Sequence, residues 1–142
     1  MPSCGNSYFR ILEAQLISYN QNLKWKSIEP ELQEKLAEFY DFDLSKVRYA
    51  ENVDMNISFD AFTYNYHIYF KGEMKFRLLA HELEHVSQFL KDPLFLDKYL
   101  LSTLSVLKIH KNLSIKSIHA RNDYEKDASR KAQSLPFIIG FY

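Results

Sequence analysis

Apolar positions recur at helical intervals from the start of the chain. Within "SYFRILEAQLISY" (7–19), Phe9, Leu12, Leu16 and Tyr19 fall on one face and predict a helix. A polar turn, "NQNLKWKS", follows. In "EPELQEKLAEFY", Pro30 sits in a first turn among acids, a helix start, and Leu32, Leu36 and Phe39 share a face. "KVRYA" (46–50) predicts a strand, "ENVDMNISFD" a loop, and the alternation in "AFTYNYHIYF" (61–70) a second strand ending near Gly72. After Gly72 the period lengthens and residues 74–91 predict a helix. Asp92-Pro93 interrupts it, and a fourth helix runs to about Ile109. Leu94, Phe95, Leu96, Tyr99, Leu100, Leu101, Leu104, Val106 and Leu107 make that helix apolar on nearly every side, the pattern of a buried helix or of one that docks a partner. "HKNLSIKSIHARN" reads as a loop, "DYEKDASRKAQSL" as a last helix stopped by Pro136, and "FIIGFY" as an apolar tail. With no repeat, low-complexity tract or linker, the expectation is one α+β, mostly helical domain over residues 1–142.

The fifth predicted element from the N-terminus carries "FRLLAHELEHVSQFL", and with it His81-Glu82-x-x-His85. Residues four apart on a helix lie on one face, so two imidazoles can aim at one point, as a tetrahedral zinc ion requires. Glu82, beside the first of them, can reach a water on that ion, whose pKa zinc lowers to about 7, and take its proton during attack on a carbonyl. The bland alternative is a solvated His/Glu face. The apolar positions Leu78, Leu79, Leu83, Val86 and Leu90 argue against it, because they place the helix in the core, where unpaired histidines are costly. The strand "YHIYF" leads into this helix, an arrangement suited to an extended substrate lying along a sheet edge.

A catalytic zinc takes three protein ligands. A compact third-histidine pattern would need Gly at 88 and His at 91, where the chain has Gln88 and Lys91. The remaining source is an acid on a later helix. "NDYEKDASRKA" offers Glu125 as the choice that could meet the histidine helix across the core, with Asp123, Asp127 and His119 as alternatives.

Composition narrows the classes. The 142 residues carry 18 basic and 18 acidic side chains, for a net charge of zero, with no run of either sign. That balance gives no footprint for nucleic acid. A single cysteine, Cys4, excludes an internal disulfide and a cysteine-based zinc cluster, and is assigned no role in a flexible terminus. The N-terminal stretch lacks the basic start of a signal peptide, and no run is long and apolar enough to span a membrane. Synthesis as a cytoplasmic protein is the expectation.

"KVRYAENVDMNISFDAFTYNYHIYFKG" followed by "RLLAHELEHVSQ", with "NDYEKDASRKA" further on, resembles the eCIS core domain family of zinc metallopeptidases. The aromatic "FLDKYLLSTL" is similar to a helix that some members place between the two motifs. The likeness covers roughly residues 46 to 133 and leaves the first two helices outside. It implies a small zincin-like fold: a short sheet, an active-site helix and a C-terminal third-ligand helix. It further implies His81, His85 and Glu125 as ligands of one zinc per chain, gluzincin-like, with Glu82 as general base. Gln88 matches the family's glutamine, whose role the sequence does not give. Where related zincins carry an Asp four residues after the third ligand, orienting a zinc-bound histidine, this chain has Ser129, which would support the ligand less well. Asp127 could substitute only from another helix face. The resemblance also permits export through a contractile injection machine without a signal peptide.

Donors for an oxyanion could come from His119, Arg121 or Tyr124 near the third ligand, or from Tyr64 or Tyr66 near the strand edge. His67 reads as a solvent-facing strand residue, His110 as a helix C-terminal cation, Trp25 as a cap over the core and Glu84 as solvated. The function expected is hydrolysis of a peptide or protein substrate by a zinc-dependent peptidase. The alternative is a catalytically weak or inactive zinc-binding module of a secreted assembly or toxin, with a partner from that assembly.

Overall fold

The computed structural model describes residues 4–55, 60–109 and 115–139. Helix α1 (Cys4–Tyr19) is followed by strand β1 (Lys26–Ser27), helix α2 (Pro30–Leu36), a 3-10 turn (Leu44–Lys46) and strand β2 (Arg48–Ala50). Strands β3 (Ala61–Tyr64) and β4 (His67–Phe70) lead into α3 (Phe76–Lys91), α4 (Phe95–Ile109), α5 (Ile115–Arg121) and α6 (Asp123–Ile139). The architecture is α+β and mostly helical, as the pattern implies.

The sheet runs in the order β1-β2-β4-β3, with β2 and β4 parallel and the other pairs antiparallel. The predicted single strand over 61–70 is a hairpin. Asn65 adopts a positive φ of 53°, which the short polar side chain tolerates, and with Tyr66 it turns the chain so that Tyr64 pairs with His67. This moves the edge. The strand before α3, β4, lies inside the sheet, and β3 is the edge strand beside the histidine helix. The segment "NQNLKWKS" is not all turn either, since Lys26 and Ser27 pair with Tyr49 and Arg48.

Period-2 alternation decides which residues meet α3. Ile68 and Phe70 of β4 join Tyr49, Val47, Leu36 and Ile28 in a core sealed by Leu79, Ala80, Leu83 and Val86 of α3 and Ala132 of α6. On the other face Tyr69 packs with Ala50, Val53 and Met55, and α1 contributes Leu16. Each fully buried aliphatic side chain here stabilises the fold by roughly 1.5–3 kcal/mol, so α3 is pinned along its sheet-facing stripe.

Several boundaries differ from the periodic reading. Helix α2 stops at Leu36. Tyr19 is 78% exposed, so the inner face of α1 rests on Phe9 and Leu16. Residues 115–121, read as loop, form α5, and α6 continues through Pro136. Helix α4 is not apolar-buried all round: Leu101 and Leu104 are 62% and 58% exposed, as is Leu94 just before it at 53%, while Phe95 and Leu96 hold its inner face. Cys4 opens α1, and His110 lies outside the described residues. Among the described residues no helix is long and apolar enough to cross a membrane.

Candidate metal centre

Helix α3 turns one face to the sheet through Leu79, Leu83 and Val86, which leaves His81, His85 and Gln88 on the flank against α6. Helix α6 begins where it does because Asn122 caps it. This fully buried side chain accepts from the Tyr124 N–H (2.9 Å) and donates to Tyr99 O (2.9 Å) and Thr103 Oγ1 (2.8 Å) of α4. Glu125 therefore sits in the first turn, aimed at α3.

The three predicted ligands converge. Glu125 Oε1 lies 2.7 Å from His81 Nε2 and 2.9 Å from His85 Nε2, and the two nitrogens are 3.2 Å apart. Ligand atoms around a tetrahedral ion at about 2.0–2.1 Å stand about 3.3 Å apart, so the cluster fits a single ion with little adjustment. The far ring nitrogens are occupied as well. His85 Nδ1 stands 2.8 Å from Gln88 Oε1, an acceptor, which fixes the proton on Nδ1 and turns Nε2 to the centre. Gln88 in turn donates to the Tyr124 carbonyl (3.1 Å), and Ser129 Oγ lies 3.3 Å from His81 Nδ1. His85 and Glu125 are buried, and the His81 side chain keeps 19% of its surface open. Two imidazoles and a carboxylate oxygen are able to bind a metal ion.

Glu82 is buried beside them. Thr63 of the edge strand donates to its Oε1 (3.0 Å), and its Oε2 lies 3.8 Å from His81 Nε2. The second oxygen of Glu125 accepts from the Tyr99 hydroxyl (2.6 Å) and stands 3.2 Å from His119 Nε2, while His119 Nδ1 is 3.0 Å from the Tyr99 hydroxyl. A cavity of ≈ 530 Å³ opens on the exposed side of His81, lined in part by Arg77, Leu78, Ser129 and Gln133.

Electrostatics follow from this crowding. Burial opposes the charged form of His85, but the charge and hydrogen bond of Glu125, with Glu82 and Gln88, outweigh it and raise its pKa to about 9. Burial likewise disfavours the Glu125 carboxylate, yet His85 and the hydrogen bonds from His119, His81 and His85 hold it well below the usual carboxylate range. Burial, then Glu125, pushes the Tyr99 hydroxyl far up, so it stays a donor.

Other candidates lie elsewhere. Asp127 faces solvent, paired with Arg130 at 3.5 Å, and does not substitute at His81. Asp123 is exposed. Tyr124 offers its carbonyl to Gln88 and its ring to Phe95, at 5.1 Å. Tyr66 packs on Phe42, away from the centre, and Tyr64 is buried against Phe89. His67 is exposed and paired with Glu13, and Trp25 packs over Tyr69. Glu84 is half-buried rather than solvated, its pKa raised by burial. Sequence reasoning missed Thr63, Tyr99 and Asn122. Gln88 was noted in the sequence without a role, and the structure gives it one at His85 Nδ1.

The eCIS core domain family model matches residues 27–92. That span takes in α2, which the sequence likeness left outside, together with the sheet and α3. It ends at Asp92, before the helix that carries Glu125. Neither a curated protein nor a solved structure matches the chain.

Proposed function

Proceeding from the eCIS core domain match over residues 27–92, we propose that this chain is a zinc-dependent peptidase of the zincin type, with His81, His85 and Glu125 as ligands and Glu82 as general base. The observation that carries the reading is the convergence of His81 Nε2, His85 Nε2 and Glu125 Oε1 beside a buried, oriented carboxylate. A zinc ion held there would acidify water and polarise a substrate carbonyl. The chain's own groups supply the rest. Thr63 ties down Glu82 Oε1, so Oε2, facing the ligand cluster, is the oxygen that takes a proton and hands it to the leaving amine. With Tyr64 and His67 closing the hairpin, the alternation directs the N–H and C=O groups of Ala61 and Thr63 outward, and no described strand pairs with that side of β3. An extended peptide can add there as a further strand, its carbonyl brought to the centre beside Thr63.

The test is cleavage of a diverse peptide pool by zinc-loaded protein. Glu82→Gln should keep the metal and lose about 10²–10⁴-fold in rate. Equal cleavage by the variant would remove Glu82 from the mechanism. A second reading, a zinc-stabilised binding module without turnover, is favoured by one contact: the neutral Ser129, 3.3 Å from His81 Nδ1, supports that ligand weakly. Zinc uptake with no cleavage by wild-type protein would select it.

A further inference from the structure

Glu125 uses only one of its oxygens toward the histidines. Oε1 meets both imidazoles, at 2.7 and 2.9 Å, while Oε2 points the other way, 2.6 Å from the Tyr99 hydroxyl and 3.2 Å from His119 Nε2. The third side of this triangle is closed, because His119 Nδ1 lies 3.0 Å from the same hydroxyl. Its members come from three helices: Tyr99 from α4, His119 from α5 and Glu125 from α6. The Tyr99 proton is committed to Oε2, and His119 lies against both the phenol oxygen and the carboxylate, bracing the ring that braces the carboxylate. The backbone is drawn into the same unit, since Asn122 caps α6 and donates to the Tyr99 carbonyl.

We propose that Tyr99 and His119 are positioning residues that clamp the second oxygen of Glu125, making it a one-oxygen ligand and setting the affinity of the centre for its ion. The inference rests on the zinc reading above. A carboxylate free to rotate would swing both oxygens toward the ion or away from it. With Oε2 held by a strong, charge-assisted donor, Oε1 is left at a fixed point between the two imidazoles. At His81 the orienting position holds a neutral hydroxyl, Ser129 Oγ, 3.3 Å from Nδ1. Tyr99 lies in an apolar run, where periodicity explains it as core packing; only the fold shows its hydroxyl reaching the ligand.

Zinc affinity, read by competition with a chromophoric chelator, tests this without reference to catalysis. Tyr99→Phe keeps the ring and removes the donor. It should weaken zinc about 10–100-fold, the usual loss when a partner of a metal ligand is removed. Tyr40→Phe is the control: it deletes another buried hydroxyl, bonded to Ala80 O at 3.3 Å, and should lower the melting temperature while leaving zinc affinity within about threefold. His119→Ala, at a partly exposed position on α5, gives a second route should Tyr99→Phe fold poorly, and should weaken zinc about tenfold. If wild-type protein binds zinc and both clamp variants match it within about threefold, or the Tyr40 control loses as much as they do, the clamp is overturned while the zinc reading stands. Wild-type protein that takes up no zinc overturns both.

Discussion

Each residue around the candidate centre has a bonding requirement that its neighbours meet, and the tightest case is His85. Its pKa is raised to about 9 from an ordinary 6.5 because Glu125 outweighs burial. A histidine raised in this way stabilises the metal-free fold fully below about pH 6.5, and that contribution is lost as pH climbs through about 9. Zinc needs the unprotonated ring, so binding at neutral pH should release a proton and tighten as pH rises across the same window. Chelator competition near both ends of the window checks this, and an affinity indifferent to pH would contradict it. Gln88 holds the other nitrogen of His85. Replacing it with Leu should cost about tenfold in zinc affinity, measured by the same competition. Thr63→Val tests the base instead. It should leave zinc content unchanged and lower kcat about 10–100-fold, because Glu82 is no longer oriented. The histidine pair and its glutamate were legible in the sequence because one helix carries them at fixed spacing. Thr63 and Tyr99 were not, because hydrogen bonds between separate elements leave no local period.

At the scale of elements, α3 and α6 do most of the positioning, and Asn122 decides where α6 begins. Asn122→Ala should destabilise the fold by about 1–3 kcal/mol, by loss of the cap and of the amide donor to two acceptors on α4. Urea unfolding checks the size, and a change near zero would mean that the cap does not hold Glu125 in place. Helix α4 makes the opposite prediction. A helix buried all round would lose about 2–5 kcal/mol on truncation of a leucine; with Leu101 and Leu104 more than half exposed, Leu101→Ser and Leu104→Ser should each change stability by no more than about 0.5 kcal/mol. The apolar run misled because composition shows how much of a helix is apolar, not how much surface its neighbours cover. The hairpin was hidden for a related reason. Period-2 alternation passes through a two-residue turn without a break, and only the positive φ of Asn65 marks it.

The described residues form a sheet with α2 and α3 packed on one face and α1 on the other, while α4 and α6 pack on α3 and α5 joins those two. Residues from α3, α4, α5 and α6 meet at one carboxylate, Glu125, so an ion there would cross-link α3 to α6 directly and reach α4 and α5 through Tyr99 and His119. Zinc at a hundredfold excess over its dissociation constant should add about 2.7 kcal/mol of stability, a rise of roughly 5–10 °C in Tm that a chelator reverses. The most direct measurement of the central claim is an anomalous difference map, collected on either side of the zinc absorption edge from crystals of zinc-loaded protein. The account predicts one peak per chain, bonded to His81 Nε2, His85 Nε2 and a single oxygen of Glu125 at about 2.0–2.2 Å. Those three side chains with no peak between them would contradict it.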